Sequence, residues 1–378
     1  MSQKAKLYLE YRTRGSLCYV KYSSFEKISK TVGAIFDCDG VLIDEKTSYD
    51  KVIKEVTSIL VEILTGYKFD EQSLPTQTIY DIRAVGSFNN DANTIQLLVE
   101  WLVSKITAEI SPKVRQRLEE LEGKDLTELL RYRGSTAHLD ESSLKIWMDE
   151  LSRSIVELEG SGLPLQSVEK VILHNEDLVK LVQRILKPDQ RYGTSLLNTA
   201  FDESFYGSDM IFLRRGNGPF FSFGGRLKEE KVIVTSETLE MLTSRGLKLG
   251  ICTGRGSWET WRTLGELEKF FEKKACVFIG DYVEADPAHS LEYEKPNPWS
   301  LLQAVRNIDA PGAKLYVGNS AEDHLMYLKA KGEVEDLLFA GVTDTDYRRL
   351  DYMIENEVDL VIPTVNHLPK IFQLIEEV

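Results

Sequence analysis

The chain has 378 residues, 42% hydrophobic and 28% charged, with a net charge of −14 and a pI near 5.1. This is the composition of a globular protein long enough for two domains, and its acidity argues against a general nucleic-acid or anionic-membrane binder. No apolar run reaches the ~18 residues of a membrane span. The first residues lead into an alternating stretch rather than a signal-peptide core, and four scattered cysteines (Cys18, Cys38, Cys252, Cys276) read as reduced thiols of a cytoplasmic protein.

Residues 6–22 alternate apolar and polar around Thr13-Arg14-Gly15, a hairpin signal. Such a hairpin adds edge strands to a sheet or contacts a partner; the sheet is the preferred reading. Val32 to Phe36 is a short apolar run, as in a buried strand, and it ends in Asp37 and Asp39 followed by Gly40. Residues two apart on a strand point the same way. Two carboxylates leaving a buried strand together are costly unless they hold a cation or do chemistry.

A long, mainly helical stretch follows. Apolar periodicity predicts helices over 49–64, 94–110, 112–122, 142–159 and 166–187, the fourth opened by an Asp140/Ser142 capping signal. Within it, Arg83 and the run Asn89-Asn90-Asp91 after a Gly-Ser turn form a dense set of polar groups. They suit either a helix N-cap or a substrate-specificity loop. Residues 214–226 are turn-rich with aromatics and read as the return from this stretch. From about 230 helix and strand alternate: helices over 236–245, 257–271, 297–307, 321–331, 346–355 and 366–376, strands over 247–252, 275–279, 313–317, 336–342 and 358–362. That pattern predicts an α/β fold with a doubly wound parallel sheet.

Four strings stand at strand ends or helix starts of this pattern. They are Asp37-Cys38-Asp39-Gly40-Val41-Leu42-Ile43-Asp44, Thr253-Gly254-Arg255, Lys295-Pro296 and Gly318-Asn319-Ser320-Ala321-Glu322-Asp323. In this order they resemble the four motifs of the haloacid dehalogenase (HAD) superfamily. The resemblance covers residues 33–46 and about 230–378. It implies a Rossmann-like HAD core (31–46 and 230–378), a helical C1-type cap inserted after the first motif (47–229) and, outside the usual core, an N-terminal hairpin extension (1–30). It also implies a Mg2+-dependent phosphatase acting on a small phosphorylated metabolite through an aspartyl-phosphate.

By the same resemblance Asp37 is the nucleophile and Asp39 the general acid and base. Thr253 and the Gly254 amide bind phosphoryl oxygens, and Lys295 neutralises charge between Asp37 and phosphate. Mg2+ takes Asp37, the backbone carbonyl of Asp39, and motif four. There the chain departs from the family: Asn319 stands where an aspartate is usual, which leaves Asn319 as a weak ligand or shifts the task to Asp323. Arg83, Asn89, Asn90 and Asp91 are the candidate substrate contacts. A phosphosugar mutase of the same superfamily and a non-catalytic phosphometabolite-binding protein are the alternatives. The five histidines show no zinc-binding spacing.

Overall fold

The apolar runs that end in motif residues become the middle of one eight-stranded sheet. In the computed structural model, which describes residues 7–377 except 14, 87, 89, 135–136, 287–288 and 345, the strands are β1 Tyr8–Thr13, β2 Ser16–Lys21, β3 Thr31–Phe36, β4 Lys248–Thr253, β5 Phe271–Phe278, β6 Ala313–Gly318, β7 Leu337–Val342 and β8 Leu360–Ile362. Their order is β1-β2-β8-β7-β6-β3-β4-β5. All neighbours from β8 to β5 run parallel. The N-terminal hairpin pairs within itself and, through β2, antiparallel to β8, with Val20 opposite Leu360. It therefore extends the sheet edge, as the alternation suggested.

Side chains of β3 alternate between two cores. Ala34 and Phe36 pack on one side with Leu315 and Val317, while Ile35 packs on the other with Tyr316 and Phe339. A strand buried on both faces reads as a continuous apolar run for this reason, and each such side chain contributes about 1.5–3 kcal/mol on burial. The expected doubly wound α/β class is borne out. β3 is the switch point: β6 and β7 lie to one side and β4 and β5 to the other. Ligands of open α/β sheets bind beyond the carboxyl ends of strands at such a point.

Two boundaries differ from the sequence-based pattern. The helix expected over 257–271 stops at Leu264, where Gly265 (φ +56) turns the chain into a 3-10 segment, and β5 begins at Phe271. The helix expected over 166–187 is two, Leu165–Ile172 and Glu176–Leu186; the Asn175 side chain accepts the Leu178 amide at 3.1 Å and starts the second. A residue with a good capping side chain outweighed the apolar stripe there.

The chain divides into two units, Met1–Glu45 with Glu230–Val378, and Lys46–Glu229. The sheet belongs to the first. The second is built mainly of helices, the longest being Lys46–Thr65, Asp91–Lys105 and Glu141–Val156. Its turn-rich stretch is tied down by Glu203, a fully buried carboxylate that accepts the amides of Phe220 (2.8 Å) and Phe221 (2.7 Å) and the Tyr192 hydroxyl (2.8 Å). Among the described residues no helix is long and apolar enough to cross a membrane, and all four cysteines are free thiols.

The helical unit also buries a carboxyl pair. Gln96 donates to Glu100 (2.9 Å) and Glu169 (3.0 Å), and Gln183 donates to both from the other side. Burial, with the Glu169 charge adding to it, pushes the Glu100 carboxyl up to about 8. The folded state thus keeps a proton that the unfolded chain releases near the ordinary carboxylate range, so stability falls as pH rises through that range toward 8. Thermal unfolding across pH 5–9 should show this loss, and Glu100→Gln should flatten it. At pH 8 the variant should melt higher, by about 2–4 °C per kcal/mol recovered. A variant with the wild-type pH slope would contradict the retained proton on Glu100.

Candidate active site

The end of β3 sets the first two acids. The Asp37 amide still donates to Val317 on β6 (2.9 Å), so Asp37 is the last residue held by the sheet ladder, and its side chain is buried. Beyond it the chain turns sharply: the amides of Leu42 and Ile43 donate to the Cys38 carbonyl at 2.8 and 2.9 Å, and the Gly40 amide donates to Ile43 at 2.8 Å. Gly40 has φ +70, and a Cβ on it would collide with the Asn319 amide nitrogen. Only glycine permits both the backbone sign and the approach of motif four.

Lys295 joins the acids. Its Nζ lies 2.8 Å from Asp37 Oδ1 and 2.7 Å from Asp323 Oδ1. Asp323, fully buried, receives the Tyr316 hydroxyl (2.7 Å) on Oδ1. Its Oδ2 accepts the amides of Asn319 (3.0 Å) and Ser320 (3.1 Å) and the Ser320 hydroxyl (2.8 Å). Ser320 in turn caps the helix Ala321–Lys331 through the Asp323 amide. A Cβ on Gly318 would fall 2.5 Å from that of Asp323, so glycine at the end of β6 is what lets the carboxylate fold back over the strand.

The charges respond to this packing. Burial pushes the Asp37 carboxyl well up; Lys295 opposes the rise, and the charges of Asp323 and Asp39 add to it. Burial also works against the charged forms of Lys295 and Asp323. Their mutual pairing overrides it and holds Lys295 above and Asp323 below their ordinary ranges. Lys295 approaches Asp37 Oδ1 without hydrogen-bond geometry, which leaves that buried oxygen lacking a directed donor. A buried oxygen without a hydrogen bond is an exception in folded proteins and asks for an explanation.

The oxygens the sequence offered for Mg2+ belong to Asp37, the Asp39 backbone and the Asn319 amide, whose nitrogen lies against Gly40. They are hard donors of the type this ion takes, and Mg2+ usually keeps several waters beside one or two carboxylates. Asp323, also in the expected ligand set, has both its oxygens engaged by Lys295, Tyr316, Asn319 and Ser320. Among the described residues no three His, Cys, Asp or Glu side chains converge as metal ligands.

Thr253, fully buried at the end of β4, and exposed Gly254 follow the strand that neighbours β3. Arg255 was part of the motif string but had no assigned role. Its guanidinium, 1% exposed, sits 2.8 Å from Asp39 Oδ1 and makes a two-pronged pair with Glu230 at 3.0 and 2.8 Å. Glu45 is a further acid that sequence reasoning passed over. Its Oε2 accepts the Gly40 amide at 2.7 Å, and burial followed by the Asp39 charge pushes it up to about 8. Lone glutamates at turns carry no sequence signal for such placement.

In the helical unit the proposed substrate contacts bind one another. Arg83 pairs at 2.8 Å with both Asp50 and Asp91, and Tyr80 donates to Asp50 at 2.9 Å. Asn90 takes the capping alternative, accepting the Ala92 amide at 3.0 Å at the start of Asp91–Lys105. Asn89 lies outside the described residues.

No family model and no curated protein matches the chain. Solved structures do. Northeast Structural Genomics Consortium target ZR25 is 16% identical, aligned over 92% of this chain and all of that one, with a TM-score of 0.55. Phosphatase Tt82 from Thermococcus thioreducens is 20% identical over 86% and 98% (TM-score 0.47). L-2-haloacid dehalogenase from Xanthobacter autotrophicus is 13% identical over 91% and 98% (TM-score 0.36). At these identities the likeness speaks to fold alone, and only the first score is high enough to carry even that. The likeness of the first is to the parallel-sheet α/β architecture described above.

Because Asp323 anchors Lys295 and three donors of its own loop, Asp323→Ala should destabilise the core by roughly 3–5 kcal/mol, the cost of breaking a buried ion pair from one side. Urea unfolding of the variant measures this. A loss below about 1 kcal/mol would remove Asp323 from its structural role.

Proposed function

We propose that the chain is a HAD-type phosphoric monoester hydrolase that cleaves a small phosphorylated metabolite through an aspartyl-phosphate on Asp37. The observation that supports this most is the Asp37–Lys295–Asp323 arrangement at the sheet switch point: one buried carboxylate oxygen without a directed donor, beside a cation that its second partner keeps charged. Phosphoryl transfer needs a positioned oxygen nucleophile and fixed counter-charge rather than elaborate covalent chemistry.

In this reading Asp37 attacks phosphorus and carries the phosphoryl group until water removes it. Asp39 gives a proton to the leaving oxygen and later takes one from the attacking water. Thr253 and the Gly254 amide bind phosphoryl oxygens, and Lys295 balances their charge against Asp37. Asp37, the Asp39 carbonyl and Asn319 would hold Mg2+, which when bound adds positive charge against the phosphoryl oxygens. Arg83, with Asn89, Asn90 and Asp91, is proposed as a substrate contact; to serve, Arg83 must exchange Asp50 or Asp91 for a substrate anion.

The test is phosphate release from a panel of phosphorylated metabolites with and without Mg2+. Asp37→Asn should abolish turnover, by several decades in rate, in a protein that melts like the wild type. Retention of wild-type turnover by that variant would sink the assignment. Asn319→Asp restores a charged ligand and should tighten Mg2+ binding, seen by calorimetry, by about 1–2 kcal/mol for a charge in a partly solvated site. Unchanged affinity would take Asn319 out of the metal's contacts.

A further inference from the structure

The Asp39 side chain is 33% exposed, while Arg255, which pairs with it, and Glu230, which pairs with Arg255, are sealed at 1% and 0%. The Asp39 backbone is fixed by the turn over Cys38–Ile43, so what its carboxylate can reach is decided by its rotamer alone. Arg255 decides the rotamer. One guanidinium nitrogen, Nη1, is shared between Asp39 Oδ1 (2.8 Å) and Glu230 Oε1 (3.0 Å), and Nη2 belongs to Glu230 Oε2 (2.8 Å). Glu230 is itself held by the Thr263 hydroxyl at 2.9 Å.

This asymmetry matters. A buried arginine that lost its only anion would strand a charge, at a large cost. Here Asp39 can leave Arg255 and the guanidinium keeps its two-pronged partner. Arg255 and Glu230 therefore form a fixed seat, and Asp39 a group that leaves it and returns. The seat also stands at a particular place in the chain. Glu230 is the residue at which the chain comes back from the helical unit, one before the short ribbon in which Lys231–Val232 pairs antiparallel with Ile43–Asp44. That ribbon follows the turn that carries Asp39.

Resting on the proposed hydrolase reading, we propose that Arg255, oriented by Glu230, is a positioning residue for proton transfer by Asp39. It seats the carboxylate in one rotamer between its two proton transfers. It acts through Asp39 and not on the substrate. General acid–base groups act only from hydrogen-bond reach of the atom they serve, and their loss costs on the order of 10²–10⁴ in rate. A residue that sets their position should reproduce part of that loss, and only through them.

The experiment compares two esters on the full chain, p-nitrophenyl phosphate, whose leaving group departs without a proton, and a simple alkyl phosphate, whose leaving group needs one. Arg255→Ala should lower kcat on the alkyl ester by about 10–100-fold, a part of the general-acid contribution, with KM and kcat on the nitrophenyl ester far less changed. Arg255→Lys, which restores the charge, should recover part of the loss, and Glu230→Gln should show a smaller loss of the same kind. In an Asp39→Asn background, Arg255→Ala should cost almost nothing more, since groups acting as one unit are non-additive. Equal losses on both esters, or losses that add to those of Asp39→Asn, would overturn the proposal. So would Arg255→Ala, Arg255→Lys and Glu230→Gln all failing to fold by circular dichroism, because the pair would then be structural only. Wild-type protein inactive on both esters and across the metabolite panel would overturn the hydrolase reading itself, and this inference with it.

Discussion

The buried ammonium of Lys295, held between Asp37 and Asp323, is the interaction on which the site depends. Taking one cation and two carboxylates out of water costs several kcal/mol per ion, and pairing offsets this only when the remaining lone pairs are satisfied. At Asp323 they are. Tyr316, Ser320 and two backbone amides complete it, and a glycine at the end of β6 makes the room. At Asp37 they are not. The imbalance leaves the nucleophile candidate as the unsettled partner of the trio, its carboxyl pushed up by burial for want of more positive charge. A cation at that oxygen would settle it, and in the proposed reading an electrophilic phosphorus would also engage it.

The same constraint bears on motif four. In the resemblance its acids serve the metal. In this chain the first is Asn319, a neutral amide against Gly40, and the second is spent on Lys295 and on the cap of the helix that follows. Charge for a divalent ion is left to Asp37, with Asp39 and Glu45 nearby and both tied by other bonds. Under the proposed reading such a site would take a divalent ion through substrate as much as through protein, because affinity for these ions follows the number of charged ligands.

Much of this was legible beforehand. The apolar runs into Asp37, Thr253 and Gly318 marked parallel strands because both faces of the sheet are buried, so the residues that end them had to sit at one edge. Alternation in the first residues marked the hairpin. What periodicity could not show was where a cap or a glycine outweighs an apolar stripe, as at Asn175 and Gly265. Nor could it pair Arg255 with Glu230, or Arg83 with Asp50, since charge partners far apart in the chain meet only through the fold. The segment Asn90-Asp91 was ambiguous for a physical reason: the groups that make a good helix start also make a good ligand contact.

The central claim is that Asp37 is a nucleophile and not a buried anchor for Lys295. Protein incubated with a phosphoester and Mg2+, quenched in acid and reduced with tritiated borohydride, tests it directly, because hydride displaces phosphate at the acyl carbon and leaves labelled homoserine in place of the phosphorylated aspartate. The account predicts conversion at Asp37 and at no other acid of the site. Label at Asp39 or Glu45, or turnover without any trapped acyl phosphate, would contradict it.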